Sequence, residues 1–345
     1  MKLCFAPMDW ITNWATRYIT EKIFDKYKEK EDTLQTRTEF MNADWFVINP
    51  WWVAKHLLTI KTKHKPIMQL FWWRKENLIK AATLLIKNFS DSFSWIELNT
   101  GCPSNTVMKC WWGSDMLKHR PETLEIIKEL SSTIKSSWLT FSVKSRAWLN
   151  EEDKENQLQF LIELSQYTDF ISIHWRTLKQ LYIGEADFEF IRNVKKACHC
   201  PVIANWWISE YNQAYDIAKD FDWIMIGQAA IGNPRVFTKY TPSLNEKIDT
   251  IKEHLQLMIV TEFRYEEYIK PMTWYTFKQP TIDELRAQIN KIDKDAAYHS
   301  IVEFRKYAFQ YLKGIPCSRE IKQWLLQKKT YNEILELLSL LATKQ

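Results

Sequence analysis

Short runs of apolar and β-branched residues alternate with longer amphipathic segments through the first two thirds of the chain. Near-continuous apolar runs are typical of parallel strands that are buried on both faces. Eight such strands separated by helices predict a closed (β/α)8 TIM barrel, with a doubly wound open sheet as the alternative α/β fold. The runs are residues 3–7, 46–49, 67–71, 95–100, 139–145, 170–174, 201–205 and 223–227.

The pattern changes after residue 240, where no convincing strand follows and helical periodicity dominates. We therefore predict two domains, a barrel over 1–240 and a small all-helical domain over 241–345. The predicted barrel helices are 77–88, 122–136, 153–166, 187–197 and 209–219, and those of the second domain are 244–268, 281–291, 295–312, 318–328 and 330–342.

The bulk composition excludes several classes of protein. With 46% apolar and 26% charged residues, the 345-residue chain is neither disordered nor fibrous. Its net charge of +5 is compatible with a nucleic-acid partner. No apolar run could span a membrane and no signal-peptide pattern opens the sequence, so we expect a cytoplasmic protein without membrane contact. The run Cys198-His199-Cys200 lacks a second pair of ligands, so we predict no metal site.

Polar residues follow six of the eight runs, and the carboxyl ends of barrel strands are where function collects. We therefore expect these residues to meet at one mouth of the barrel. They are Gln69, Asn99 with Cys102, Lys144 with Arg146, His174 with Arg176, Asn205, and Gly227 with Gln228.

The residue types at this mouth favour a phosphorylated cofactor with a conjugated ring. Lys144 and His174 can donate to a planar polar ligand, and the amides of Gln69 and Asn205 can bind amide edges. The loops after the last two strands are the usual phosphate site of such barrels. No carboxylate pair is present for glycoside hydrolysis. Flavin mononucleotide (FMN) fits best, and pyridoxal phosphate with Lys144 as its Schiff-base residue is the alternative.

Cys102 is the most informative thiol because it lies on the loop after a predicted strand. A thiol beside a cofactor can act as a nucleophile or as a general acid, whereas a buried structural cysteine is inert. Its position favours the catalytic interpretation.

Several motifs then occur in a familiar order. The chain resembles the tRNA-dihydrouridine synthases, flavoenzymes that reduce a uracil base in tRNA, over most of its length. The motifs are Ala-Pro-Met at 6–8, Gln-Leu-Phe at 69–71, Asn-Thr-Gly-Cys-Pro at 99–103, Val-Lys-Ser-Arg at 143–146, His-Trp-Arg-Thr at 174–177, Pro-Val-Ile-Ala-Asn at 201–205, Met-Ile-Gly at 225–227 and Tyr-Leu-Lys-Gly-Ile-Pro at 311–316.

The resemblance implies a mechanism and a set of site residues. NADPH would reduce a bound FMN, hydride would pass to a uracil base flipped out of tRNA, and Cys102 would protonate the adjacent carbon as general acid. The chain would act as a monomer. FMN would be held by Ala6, Pro7, Met8, Gln69, Lys144, His174, Asn205, Trp206, Trp207, Gly227 and Gln228. The tRNA would be held by Asn99, Arg176, Arg305, Lys306, Lys313 and Arg319.

The sequence departs from the family at its glycines. It contains 6 glycines and 18 tryptophans, where average usage would give roughly 24 glycines. Many tryptophans stand where the family motifs have glycine, which permits a positive φ or a close backbone approach. Those at 206 and 207 would compete with the cofactor phosphate. The tryptophans concerned are Trp10, Trp45, Trp72 or Trp73, Trp111, Trp112, Trp175, Trp206, Trp207 and Trp223.

Two other functions stay open at this point. The chain could be an FMN barrel oxidoreductase that acts on a small molecule such as dihydroorotate or an enone. It could also be a tRNA-binding protein whose catalysis is impaired by tryptophan at glycine positions.

Overall fold

The structure is a computed structural model that describes residues 1–50, 64–102, 113–175, 187–264, 281, 283–284, 287, 296–315 and 318–343. The chain divides into two compact units. The first unit holds every described strand, and the second holds residues 13–29 and the chain from residue 228 onward. The predicted domain boundary at residue 240 stays a prediction.

The strands of the first unit form one parallel sheet in the order β2-β1-β9-β8-β7-β6-β5-β4-β3. Only Thr36 separates β2 from β3, and these two segments pair with β1 and β4 respectively. They therefore act as one interrupted strand that closes the sheet, which confirms the predicted TIM barrel. The strands are β1 (Lys2–Phe5), β2 (Thr33–Gln35), β3 (Arg37–Asn42), β4 (Ile67–Phe71), β5 (Trp95–Asn99), β6 (Thr140–Arg146), β7 (Phe170–His174), β8 (Val202–Trp206) and β9 (Trp223–Ile226).

One predicted strand is wrong. The run 46–49 lies at the end of a short helix, Ala43–Ile48, and the second barrel strand is the interrupted segment before it. Asn42 ends β3 and caps this helix, because its side chain accepts a hydrogen bond from the Trp45 N–H at 3.0 Å. A short apolar run has no periodicity that separates a strand from a helical turn.

Helices alternate with the strands as predicted. In the first unit they are α2 (Ala43–Ile48), α3 (Lys75–Phe89), α4 (Arg120–Lys135), α5 (Lys154–Ser165), α6 (Phe188–Ala197) and α7 (Tyr211–Ile217). In the second unit they are α1 (Trp14–Tyr27), α8 (Leu244–Arg264), α9 (Ala296–Tyr311), α10 (Ser318–Gln327) and α11 (Tyr331–Thr343). Among the described helices, none is long and apolar enough to cross a membrane.

Aromatic rings fill the barrel at the amino-terminal ends of its strands. The Trp95 and Phe170 ring centroids are 4.8 Å apart, and Phe170 meets Trp223 edge-on at 6.1 Å. These three residues each begin a strand, in β5, β7 and β9 respectively. The filling of this end by rings leaves the carboxyl ends of the strands as the place for a ligand.

The second unit is built around a fully buried histidine. His254 of α8 lies with its ring nitrogens 3.2 Å from the Thr16 hydroxyl of α1 and 3.2 Å from the Tyr311 hydroxyl of α9. Burial lowers the pKa of His254 to about 3, so the ring is neutral at physiological pH and serves to join three helices.

Two tryptophans adopt the left-handed backbone region. Trp10 has φ 59° and Trp138 has φ 60°, and every other described residue with positive φ is a glycine. Trp10 agrees with the family motif, in which glycine is usual at this position. Trp138 follows α4, and its N–H donates to the Lys135 carbonyl at 3.0 Å. A left-handed residue just after a helix is the position where glycine is usual.

Replacing Trp138 by glycine is expected to stabilise the protein. The Trp138 side chain is 95% exposed, so its removal loses little burial, while the left-handed conformation costs a residue with a Cβ roughly 1–2 kcal/mol. We expect Trp138→Gly to raise the free energy of unfolding by about 1 kcal/mol. Trp138→Ala is the matched control, because alanine removes the indole but keeps the Cβ. Equal unfolding midpoints for the two variants in urea would contradict the claim that the left-handed backbone at residue 138 destabilises the protein when the residue has a Cβ.

Candidate active site

The strand registers bring the predicted polar residues together at the carboxyl end of the barrel. Asn99 pairs with Lys144 across β5 and β6, and His174 pairs with Asn205 across β7 and β8. Gln69 pairs with Glu97 one layer deeper. Gln69, Asn99 and Asn205 are all buried. The predicted polar residues therefore meet at the carboxyl ends of the barrel strands, and three of them are buried there.

Lys144 places a cation at this mouth. Burial lowers the pKa of its ammonium to about 8, while the charge of Glu97 acts in the opposite direction. The charges of Arg146 and Arg37 add to the lowering. At neutral pH the side chain is still protonated, so it can donate to a polar edge of a ligand. A cation with such a pKa is readily neutralised, which is typical of functional sites.

The loop that carries Cys102 is fixed by Asn99. The Asn99 Oδ1 accepts hydrogen bonds from the Gly101 N–H at 3.0 Å and from the Cys102 N–H at 3.2 Å. On its far side, the Cys102 carbonyl accepts from the Ser114 N–H at 3.0 Å and from the Ser114 hydroxyl at 2.9 Å. The thiol is half-buried and packs near Phe71. Both flanks of the predicted catalytic residue are thus held by hydrogen bonds.

Gly101 is one place where the chain keeps a glycine that close packing requires. A Cβ on this residue would lie 3.0 Å from the Ser145 carbonyl carbon. The Gly101 carbonyl also accepts from Arg146 Nε at 3.1 Å. The backbone before Cys102 therefore lies directly against β6, next to Lys144.

Other predicted cofactor residues lie at the same end of the first unit. The Ala6 N–H donates to the Ile226 carbonyl at 2.9 Å, and Ala6 is buried. Asn205 Nδ2 donates to the Met225 carbonyl at 3.1 Å. Pro7, Met8, His174 and Gly227 are half-buried. Gln228 is exposed and begins the second unit.

Two stacked indoles lie at the ends of β7 and β8. Trp175 follows β7 directly and is only 5% exposed. Its ring stacks on that of Trp206, with centroids 5.0 Å apart and an interplanar angle of 26°. The next residue, Trp207, is 55% exposed. We call Trp175 and Trp206 the indole pair. Of the two, Trp206 ends β8, one of the last two barrel strands, whose loops commonly bind phosphate.

The remaining predicted residues are the candidate tRNA contacts other than Asn99. Arg176 lies outside the described residues. In the second unit, Arg305 Nη2 donates to the Lys328 carbonyl at 3.1 Å, and Lys306 forms an ion pair with Glu303 at 2.6 Å. Lys313 and Arg319 are exposed. Among the described residues, no group of three or more His, Cys, Asp or Glu side chains could hold a metal ion.

Sequence reasoning missed a buried ion pair beneath the mouth. Arg37 and Glu97 are fully buried, with Nε to Oε1 at 2.9 Å and Nη2 to Oε2 at 3.1 Å. Burial alone disfavours the charged guanidinium, but the charge and hydrogen bonds of Glu97 hold the pKa of Arg37 above its usual value. A glutamate inside the apolar run 95–100 was the one indication of such a pair.

The parallel barrel places a thiol, a lysine and buried amides at its carboxyl mouth, which is where barrel enzymes have their active sites. Comparison with known proteins makes this class specific. The sequence model described as "Dihydrouridine synthase (Dus)" matches residues 4–344. The chain belongs to the dihydrouridine synthase family.

Curated relatives agree with this membership. The chain is 29% identical over 228 residues to a probable tRNA-dihydrouridine synthase of Rickettsia bellii, covering 61% of this chain and 68% of the relative. It is 24% identical over 341 residues to a probable tRNA-dihydrouridine synthase of Aquifex aeolicus, covering 97% and 94%. A solved structure of a morphinone reductase variant matches with a TM-score of 0.46 and 9% identity, covering 68% of this chain and 86% of that one.

Family membership confirms the predicted enzyme class, an oxidoreductase that acts on tRNA, and does not favour the alternative of a small-molecule oxidoreductase. It also implies a flavin cofactor, and the described residues fit the ring of one. Lys144 supplies a cation, and among the described residues Gln69 and Asn99 each use one amide N–H for a hydrogen bond within the protein. Trp206 of the indole pair ends β8, next to the loop at which a phosphate would be bound.

Proposed function

We propose that this chain reduces a uridine of tRNA to 5,6-dihydrouridine, with FMN as its cofactor and NADPH as its reductant. The observation that carries the proposal is the anchored position of Cys102 beside Lys144 at the barrel mouth. Asn99 holds the backbone on one side of the thiol, and Lys144 pairs with Asn99 in the strand register.

FMN, when bound, supplies hydride to a uracil ring. The cofactor would be held by Ala6, Pro7, Met8, Gln69, Lys144, His174, Asn205 and Gly227, together with the backbone at Trp206, Trp207 and Gln228. Cys102 donates its Sγ proton to the carbon next to the one that takes the hydride. One C–H bond forms as the S–H bond breaks, and the resulting thiolate is reprotonated from solvent.

The target base must leave its stack to reach this mouth, since the barrel wall surrounds the site. Asn99, which donates one amide N–H to Gln69 among the described residues, would help to hold the uracil with its other N–H, and Arg176 is proposed as a second substrate contact. In the second unit, the exposed side chains of Lys313 and Arg319 are free to approach tRNA phosphates. We propose Arg305 and Lys306 as weaker contacts, because both have partners within the protein.

Two measurements on purified protein test this proposal. Flavin absorbance after incubation with FMN, and a gel shift with tRNA that weakens as salt rises, are both expected. Flavin binding without tRNA binding would favour the small-molecule oxidoreductase. Binding of tRNA by a protein that takes up no flavin would favour the non-catalytic alternative.

The pKa of Lys144 predicts the pH dependence of FMN binding. A ligand acceptor favours the protonated ammonium, so above a pKa of about 8 binding must take up a proton. Affinity for FMN is therefore expected to fall as the pH rises through that value. In Lys144→Met the affinity should be lower near neutral pH and lack this dependence. The measurement is a titration with FMN followed by flavin fluorescence at several pH values on both sides of this pKa. An unchanged pH dependence in Lys144→Met would contradict the assignment of Lys144 as a donor to FMN.

A further inference from the structure

The buried ion pair is joined to the Cys102 loop by an unbroken series of hydrogen bonds. Gln69 Nε2 donates to Glu97 Oε1 at 2.7 Å, and Asn99 Nδ2 donates to Gln69 Oε1 at 3.0 Å. Asn99 Oδ1 then accepts from the backbone N–H groups of Gly101 and Cys102. We call Glu97, Gln69 and Asn99 the amide relay.

The charge on Glu97 determines the direction of every amide in this relay. A carboxylate only accepts, so Gln69 must turn its NH2 toward Glu97 and its carbonyl toward Asn99. Asn99 must then turn its NH2 toward Gln69, which leaves its Oδ1 for the Cys102 loop. A neutral side chain at position 97 could present either a donor or an acceptor. Gln69 could then flip and turn its NH2 toward the NH2 of Asn99, which would weaken the hold of Asn99 on the Cys102 loop.

Arg37 is the charged partner of that carboxylate inside the barrel. Its two nitrogens bind the two Glu97 oxygens, and its Nη2 also donates to the Ser172 hydroxyl at 3.1 Å. The hydroxyls of Ser142 and Ser172 each donate to Glu97 Oε2 at 3.2 Å. The two Glu97 oxygens thus accept from a guanidinium, an amide and two hydroxyls inside the barrel.

We propose that Arg37 and Glu97 are positioning residues, which act through the amide relay to hold the Cys102 loop in its reactive position. The catalytic consequence rests on the proposed function, whereas the structural consequence does not. A chain of donors and acceptors with a single allowed direction is a supporting shell that keeps a reactive group in one geometry.

Glu97→Gln tests the proposal because it removes the charge at nearly constant shape. It also leaves Arg37 as an unpaired buried cation, so the variant could lose stability for that reason alone. The double variant Arg37→Met with Glu97→Gln removes both charges and keeps the interior neutral. Ser142→Ala is the matched control, because Ser142 also donates to Glu97 but contacts neither relay amide.

The first readout is the rate at which iodoacetamide alkylates Cys102 in the absence of tRNA, followed by mass spectrometry of the Cys102 peptide. We expect a loosened loop to raise this rate at least about fivefold in the double variant, with Ser142→Ala within about twofold of the unmodified protein. The second readout is kcat for tRNA reduction, expected to fall by roughly 10–100-fold in the double variant with little change in KM.

The two readouts separate failure of the relay from failure of the proposed function. A folded double variant with unchanged alkylation and kcat would overturn the relay, as would an equal effect of Ser142→Ala. If the unmodified protein makes no dihydrouridine but the alkylation rates still differ as expected, the proposed function fails and the relay stands.

Discussion

Replacing Cys102 by alanine is expected to lower kcat for tRNA reduction by roughly 10²–10⁴-fold, the range for a positioned general acid. The backbone hydrogen bonds of Cys102 to Asn99 and Ser114 involve no side-chain atom of the cysteine. The loop should therefore keep its geometry in the variant, and FMN affinity should change little. Rapid mixing separates the steps: NADPH should reduce the bound flavin at the normal rate, and tRNA should reoxidise it slowly.

Cys198→Ala is the matched control for this experiment. Cys198 is also half-buried, at the end of α6, but its Sγ donates to the Leu161 carbonyl at 3.4 Å. Burial raises the pKa of this thiol to about 12, so it is inert at physiological pH. The control should match the unmodified protein in both steps. If kcat for tRNA reduction falls by less than about tenfold in Cys102→Ala, the thiol is excluded as the general acid.

Replacing both members of the indole pair by glycine is expected to increase FMN affinity at least tenfold. Trp206 ends β8, after which loop backbone commonly binds phosphate in this class of barrel, and Trp175, which follows β7, stacks on the Trp206 ring. Overfilled positions in packed structures cost about 1–3 kcal/mol each, and about 1.4 kcal/mol corresponds to a tenfold change in affinity.

Trp138→Gly separates this effect from a general relief of strain. Trp138 lies two residues before β6 begins, at the opposite end of the barrel from the indole pair. The Trp138→Gly variant should therefore have a higher free energy of unfolding and an unchanged dissociation constant for FMN. Isothermal titration of the Trp175→Gly, Trp206→Gly variant and of Trp138→Gly against FMN compares them directly. A folded double variant that binds FMN no more tightly than the unmodified chain would contradict the assignment of the indole pair.

The fold was predictable because buried parallel strands leave a period-free apolar run, and seven of the eight runs are strands in the structure. The exception, 46–49, is helical because Asn42 caps a turn there. The second strand instead lies in residues 33–42, where Arg37 and several threonines interrupt the apolar pattern. An arginine that faces a glutamate inside a barrel makes its strand look exposed, so hydrophobic patterning alone misses it.

The site was predictable to the level of which residues meet, since parallel strands end at one edge of a sheet. The direction of the amides of Gln69 and Asn99 was not, because it depends on Glu97 and Arg37 one layer deeper. The tryptophans show a similar limit. Trp10 was identified from a family motif, whereas Trp138 lies outside every motif and only its backbone angle reveals a glycine position.

The most direct test of the account is the conversion of uridine in a tRNA transcript. Purified protein would be supplied with FMN, NADPH and unmodified tRNA, and the digested nucleosides would be analysed by mass spectrometry for the addition of two hydrogen atoms to uridine. We predict dihydrouridine at a defined position, dependent on NADPH and absent with Cys102→Ala. A protein that binds FMN and tRNA and oxidises NADPH, yet leaves every uridine unchanged, would contradict the proposed function.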